Sequence, residues 1–172
     1  IASDGVPPFG MGLGINTGSV VVGNMGSSQR FDYTCLGDSV NLASRLEGQS
    51  KDYGVKVVLG HNTVQGIDDE FFILELDTIA VKGKKEGVNI YTCLGYNDKL
   101  DMYKKDKVKH EHFLADYRAR RFDGCLITLE SIHSAFGGKM KDYYAMMQKR
   151  CEYFAKNDPG KNWDGVYRAT SK

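Results

Sequence analysis

Residues 30–45 read RFDYTCLGDSVNLASR. The first seven, Arg30–Leu36, are rich in aromatic and β-branched side chains and predict a strand. Gly37-Asp38-Ser39 then punctuates the chain. Apolar residues at Val40, Leu42, Ala43 and Leu46 follow with helical spacing, so a helix is expected over 40–53. Asp38 or Ser39 is the expected N-cap, and Gly54 the C-terminal stop. A strand running straight into a helix marks this half of the chain as mixed α and β.

Working outward, residues 1–8 (IASDGVPP) read as a loop. FGMGLGIN (9–16) alternates Phe9, Met11, Leu13 and Ile15 with glycines, which is a strand pattern. Asn16-Thr17-Gly18 is a turn signal, and SVVVG (19–23) is a short β-branched run. These two runs are expected to pair as a hairpin, with a loop over 24–29. Downstream, VKVVL (55–59) reads as a strand, HNTVQGI (61–67) as a short helix, FFILELDTIAV (71–81) as one strand or two, and VNIYTCL (88–94) as another.

From Asn97 the character changes. Glycine becomes rare, charge rises, and the period shifts to that of a helix through Phe113, Leu114, Tyr117, Cys125, Leu126, Leu129 and Ile132. Gly137-Gly138 interrupts it, and Met140–Phe154 forms a further helix, ended by Asn157-Asp158-Pro159-Gly160. Two parts are expected: an α+β portion over 1–96 and a helical hairpin over 97–172. One helix pair cannot bury its own apolar face, so it should dock on the first part or on a partner.

With 172 residues, 41% hydrophobic and 26% charged, the chain has ordinary globular composition for one domain and an appendage. A formal net charge of +1 argues against nucleic-acid binding driven by bulk charge and against contact with a lipid surface. No run approaches the ~18 apolar residues of a membrane span. Cys35, Cys93, Cys125 and Cys151 are far apart with no CxxC pair, as in a reduced cytoplasmic chain. The first residue is Ile1 and no signal-peptide pattern follows, so the chain is expected to begin inside something larger.

Several motifs have bland readings. Gly10, Gly12 and Gly14 imitate a dinucleotide fingerprint, but they sit within a strand that leads to another strand, and Thr17 occupies the third glycine slot. Lys82-Gly83-Lys84-Lys85 lacks the spaced glycine and the Ser/Thr of a Walker loop. His110 and His112 lie among Lys104, Lys105, Lys107 and Lys109 and are expected on a solvated helix face. Asp68-Asp69-Glu70 is a loop-solubilising run rather than a cation site.

Asn41 and Arg45 are different. At i, i+4 they leave one face of the expected helix, near the helix end where anionic groups are stabilised. An amide and a guanidinium are suited to surround a phosphate or a charged transition state. A plain polar helix face satisfies the spacing equally well.

Four runs occur in order: GLGINTGSVVVGNMG (12–26), DYTCLGDSVNLASRLE (32–47), VKVVLG (55–60) and AVKGKKEGVNIY (80–91). Together they resemble the C-terminal portion of a class III nucleotidyl cyclase catalytic domain. The resemblance implies a ferredoxin-like α+β sheet, here lacking its N-terminal elements and followed by the helical hairpin. It implies that Asn41 orients the ribose and that Arg45 neutralises charge on the α-phosphate during ring closure. Thr34 falls on the purine-reading position, with Cys35 and Leu36 in the same pocket. Lys82 falls on the phosphate-binding lysine, with Lys84 as a second candidate, and Arg30 reaches the triphosphate from a partner subunit.

The implied reaction converts ATP to 3′,5′-cyclic AMP and pyrophosphate, and Thr34 favours ATP over GTP. The family's two Mg²⁺ or Mn²⁺ ions are held by aspartates upstream of the position of Phe9, and Asp4 is no substitute. The chain alone is therefore expected to be inert, supplying half a site in a head-to-tail homodimer with a complete cyclase domain. The rival readings are a guanylate cyclase and a non-catalytic cyclase-homology module that dimerises or senses nucleotide. A cytoplasmic location is expected for this segment, which leaves open a membrane-anchored parent.

Overall fold

The structure, a computed structural model, describes residues 10–169. Four strands form the main sheet: β1 (Leu13–Ile15), β4 (Val57–Gly60), β5 (Phe71–Ile79) and β6 (Val88–Tyr96), in the order β1-β4-β6-β5. β1 runs parallel to β4, with Leu13 opposite Val57 and Ile15 opposite Leu59. β4 and β5 are each antiparallel to β6. Two further strands, β2 (Val21–Ser27) and β3 (Arg30–Leu36), form a separate antiparallel hairpin.

This corrects the expected pairing of 9–16 with 19–23. The first strand pairs with β4, and the hairpin forms instead between β2 and β3, with Val21 opposite Leu36 and Ser27 opposite Arg30. Residues 24–27, expected in a loop, continue β2, and the turn shrinks to Ser28-Gln29. Phe9 lies outside the described residues.

The glycines of the first strand explain its choice of partner. Helix α1 (Asp38–Asp52) crosses directly over β1. A Cβ on Gly14 would stand 2.8 Å from the Cα of Glu47, with Glu47 N and Ala43 O closer still, and one on Gly12 would strike Ser50. Only a bare backbone lets helix and strand approach this closely. A parallel pair needs a crossover of a dozen or more residues, and the chain through the hairpin and α1 provides it. The helix begins at Gly37, whose φ of 141° suits glycine, and no side chain caps it, contrary to the expected Asp38 or Ser39. Gly54, at φ 64°, follows its last turn as expected.

Beyond β6 the described residues form three α-helices rather than two: α3 (Lys104–Arg118), α4 (Phe122–Ile132) and α5 (Lys141–Lys156). The long first arm divides at Arg120, which takes a left-handed conformation with φ 61°. There the Arg121 N–H donates to Asp116 O at 2.9 Å, turning the chain back. These helices cover the same sheet face as α1. Leu46 from α1 and Tyr53 just past its end, Leu74, Leu76 and Ile90 from the sheet, and Phe113, Tyr143 and Cys151 from the extension share one apolar core. On the opposite face the short helix α2 (His61–Val64) closes a smaller cluster of Leu59, Val64 and Ile73.

His110 is a second correction. It is fully buried, not solvated: Nδ1 bonds to the Tyr144 hydroxyl at 2.8 Å and Nε2 to the Glu75 carbonyl at 2.6 Å. Its lysine neighbours occupy the other sides of the helix, while His110 lies on the same side as Phe113, Leu114 and Tyr117. His112, two residues on, is exposed beside Asp116.

Two outcomes are expected. Gly14→Ala forces α1 off β1 and destabilises the fold by about 2–3 kcal/mol, whereas Gly48→Ala, in open space on the same helix, stabilises it by up to ~1 kcal/mol. Urea unfolding of both variants checks this. Burial lowers the pKa of His110 to about 4. The unfolded chain therefore takes up a proton near pH 6.5 that the folded chain refuses until about pH 4. Stability should rise with pH across that window, on the order of 3 kcal/mol in all. His110→Gln, measured by unfolding from pH 4.5 to 7.5, should flatten the slope.

Candidate functional site

β3 delivers the chain into α1 through Gly37, so everything on its C-terminal end stands at the start of the helix. Thr34, half-buried, lies opposite Gly23, while Cys35 and Leu36 are exposed opposite Val22 and Val21. Asn16 Nδ2 donates to the Ser39 carbonyl at 3.0 Å and fixes the end of β1 to the first turn of α1. Asn41 and Arg45 are both exposed, one turn apart on the helix.

Arg45 lines a cavity of about 890 Å³ between α1, the end of β5, α5 and the C-terminal segment. Across it are Ile79 and Ala80, then Arg150 and Tyr167. Ala80 opens the loop that carries Lys82, so Arg45 shares the cavity with the first residue of that loop, while Lys82 itself stands outside the cavity wall. Lys82 is exposed in that loop, whose turn is closed by the Lys84 N–H donating to Val81 O at 3.1 Å, with Gly83 at φ 83°. Among the described residues neither Arg45 nor Lys82 forms an ion pair.

Arg30 is not brought to this place. It sits at the turn of the hairpin, and the seven residues of β3 separate it from α1 by roughly 20 Å of extended chain. Within one chain the structure therefore sets Asn41 and Arg45 one turn apart on α1, places Thr34–Leu36 at the start of that helix, and leaves Arg30 apart; of these residues and Lys82, Arg45 alone lines the cavity.

One wall of the cavity is a charged cluster that sequence reasoning missed. Asp77 is buried on β5 and accepts from Arg150 Nη1 at 2.5 Å, from the Tyr53 hydroxyl at 2.5 Å and from the Thr78 N–H at 2.8 Å. The Arg150 guanidinium also stacks on Tyr167, its Cζ 3.5 Å from the ring centroid. Burial opposes the charge of Arg150, and the Asp77 carboxylate with its other partners outweighs burial, so the guanidinium is held above its usual pKa. Burial, and then the Asp77 charge, push the Tyr53 phenol upward, keeping it a donor. No local pattern announces a pair 73 residues apart in the chain.

Among the described residues no group of three or more His, Cys, Asp or Glu stands close enough to hold a metal ion. The acids on the cavity wall are Asp52 and Asp142 alone. These residues do not form the two-ion site that the resemblance implies, and no chemical step is derived through it. No described helix is long and apolar enough to cross a membrane.

The family described as "Adenylate and Guanylate cyclase catalytic domain" matches residues 1–95, and the chain belongs to that family. It is 41% identical over 93 residues to adenylate cyclase 1 of Rhizobium meliloti (strain 1021), covering 54% of this chain and 14% of that protein. It is also 41% identical over 90 residues to an adenylate cyclase of Anabaena cylindrica, covering 51% of this chain and 18% of that protein. The chain thus spans less than a fifth of the length of these relatives. Among solved structures, the adenylyl cyclase CyaB from P. aeruginosa is 40% identical, covering 47% of this chain and 40% of that one, with a TM-score of 0.42. The guanylyl cyclase Cya2 is 32% identical, covering 58% of this chain and 50% of that one, with a TM-score of 0.48.

Arg150→Met should destabilise the fold by about 3–5 kcal/mol, because it strands the Asp77 charge in the core. Pairing it with Asp77→Leu should recover most of the loss. Thermal unfolding of the single and double variants checks both outcomes.

Proposed function

We propose that this chain supplies the transition-state and base-reading half of an adenylate cyclase site, acting on ATP. The observation that carries the reading is the exposed pair Asn41 and Arg45, one helical turn apart at the start of α1, with Arg45 lining a cavity whose far wall includes Ala80 at the start of the Lys82 loop. The ribose 3′-hydroxyl attacks the α-phosphorus, the bond to the β-phosphate oxygen breaks, and pyrophosphate leaves with the hydroxyl proton released to solvent. Asn41 orients the ribose, Arg45 neutralises charge on the α-phosphate, and Lys82 holds the terminal phosphates. Thr34 reads the adenine edge, and Cys35 and Leu36 wall its pocket.

Carboxylates outside the described residues would hold the family's divalent ions, Mg²⁺ or Mn²⁺, which would offset phosphate charge there. A head-to-tail homodimer brings the two halves together. The exposed apolar side chains of the hairpin, Val21, Val22, Phe31, Tyr33 and Leu36, support such a partner. Arg30, displaced from its own helix, reaches the neighbour's site in that arrangement. Residues 1–96 are the catalytic portion and 97–172 an extension packed upon it, and the segment works in the cytoplasm.

The test combines this chain with a class III cyclase subunit that keeps its metal-binding aspartates but has lost its own Asn and Arg. The mixture receives Mn²⁺ with equal ATP and GTP, and both cyclic products are quantified. Cyclic AMP should dominate, and Asn41→Ala or Arg45→Ala should each lower turnover at least ~10²-fold. Dominant cyclic GMP would overturn the role of Thr34. A folded dimer that makes neither product would instead point to a non-catalytic module.

A further inference from the structure

The segment 163–168 joins the helices of the extension to one loop of the sheet. Trp163 is seated among Tyr117, Phe122 and Phe154, with ring centroids at 5.3, 6.0 and 5.5 Å, and its Nε1–H donates to Val166 O at 3.1 Å. Arg168 is paired with Asp164, which closes the same turn from outside. So anchored, Val166 and Tyr167 run along the end of β5. The Tyr167 N–H donates to Thr78 O at 2.8 Å, and the Ala80 N–H donates to Tyr167 O at 3.1 Å. Val166 meanwhile is buried against Gly87, where an added Cβ would stand 2.5 Å from its Cγ2.

Ala80 and Gly87 are the two ends of the loop between β5 and β6. Residues 82–86 between them are exposed. The loop's own backbone tie is the single bond from Lys84 to Val81. Two covalent strand ends alone leave such a loop at the low-stability end of the fold. Here one short segment grips both ends, and the ring of Tyr167 is in turn clamped under the Arg150 guanidinium.

We infer that residues 163–168 form a clasp that sets the 80–87 loop, and with it the position of Lys82 beyond the cavity edge at Ala80, with Tyr167 as the positioning residue. What Lys82 then binds rests on the cyclase reading above; the clasp itself rests on the contacts. The C-terminal extension is on this account part of the site's architecture.

The test measures hydrogen exchange across 80–87 in Tyr167→Ala and Tyr167→Phe, with the centre of β5 and β6 as internal reference. Exchange should quicken on the order of tenfold in Tyr167→Ala and stay near the parent in Tyr167→Phe, which keeps the stacked ring. Gly87→Ala, which pushes Val166 away from the loop side, should loosen the same residues and serves if Tyr167→Ala does not fold. In the reconstituted reaction Tyr167→Ala should raise KM for ATP roughly 3–10-fold with kcat little changed, and adding it to Lys82→Ala should raise KM no further. Unchanged loop exchange in both Tyr167→Ala and Gly87→Ala overturns the clasp, as does a KM effect fully additive with Lys82→Ala. Loosened exchange with no turnover in the parent protein sustains the clasp and sinks the cyclase reading instead.

Discussion

A single buried carboxylate, Asp77, ties together three elements that also share the apolar core. It accepts from Tyr53 at the end of α1, from Arg150 in the middle of α5, and from the backbone of its own strand, and Arg150 passes the connection on to Tyr167. An ion pair of this kind about breaks even with apolar packing once formed, but half-formed it strands a charge in the core. Any seating of α5 that moves Arg150 off Asp77 is therefore disfavoured far more than the loss of an ordinary contact. The Asp77 charge thus helps to set the register of α5 on the sheet, together with the Tyr143 hydroxyl on Leu76 O, while His110 and Arg118 tie α3 to Glu75.

The consequence is a chain with two unlike sides. Over β5 and β6 the extension packs aromatic rings and sulfur against the sheet in one continuous core with α1. Around β1 and the hairpin the apolar residues face outward, from Met11, Leu13 and Ile15 to Phe31 and Tyr33. A two-stranded hairpin is marginal by itself in water, and one bearing exposed aromatic side chains is built to pack against something further. The polar stripe of α1 lies between these two sides. The proposed division of a cyclase site between subunits uses that arrangement: one side consolidates the helix and the lysine loop, and the other is left for a partner.

The extension changes what the candidate site is made of. Arg45 belongs to the family portion, yet the cavity it faces is walled by α5 and by Tyr167, both beyond residue 95 where the family match ends. Close approach at Gly12 and Gly14 sets α1 on β1, and the clasp at Ala80 and Gly87 sets the loop opposite. The chemistry-bearing side chains are few, and much of the structure serves to hold two backbones at a given separation.

Local sequence was enough for the strand–turn–helix at Arg30–Arg45, for the stop at Gly54, for the pairing of Asn41 and Arg45 on one face, and for the family. All but the family depend on residues within a few positions of one another, where steric limits on the backbone and the helical period act directly, and the family rests on four such runs taken in order. The partner of β1 was not legible, because alternation reports which side of a strand is buried and not which strand lies beside it. The burial of His110 was hidden among lysines that point the other way, and it became visible only when Tyr144 and the Glu75 carbonyl were in place to satisfy both ring nitrogens. Asp77 and Arg150, 73 residues apart, could be paired only by the packing of the helices on the sheet. Contacts of that reach are selected by the whole core at once, since a buried charge or imidazole is tolerated only where every element around it supplies a partner.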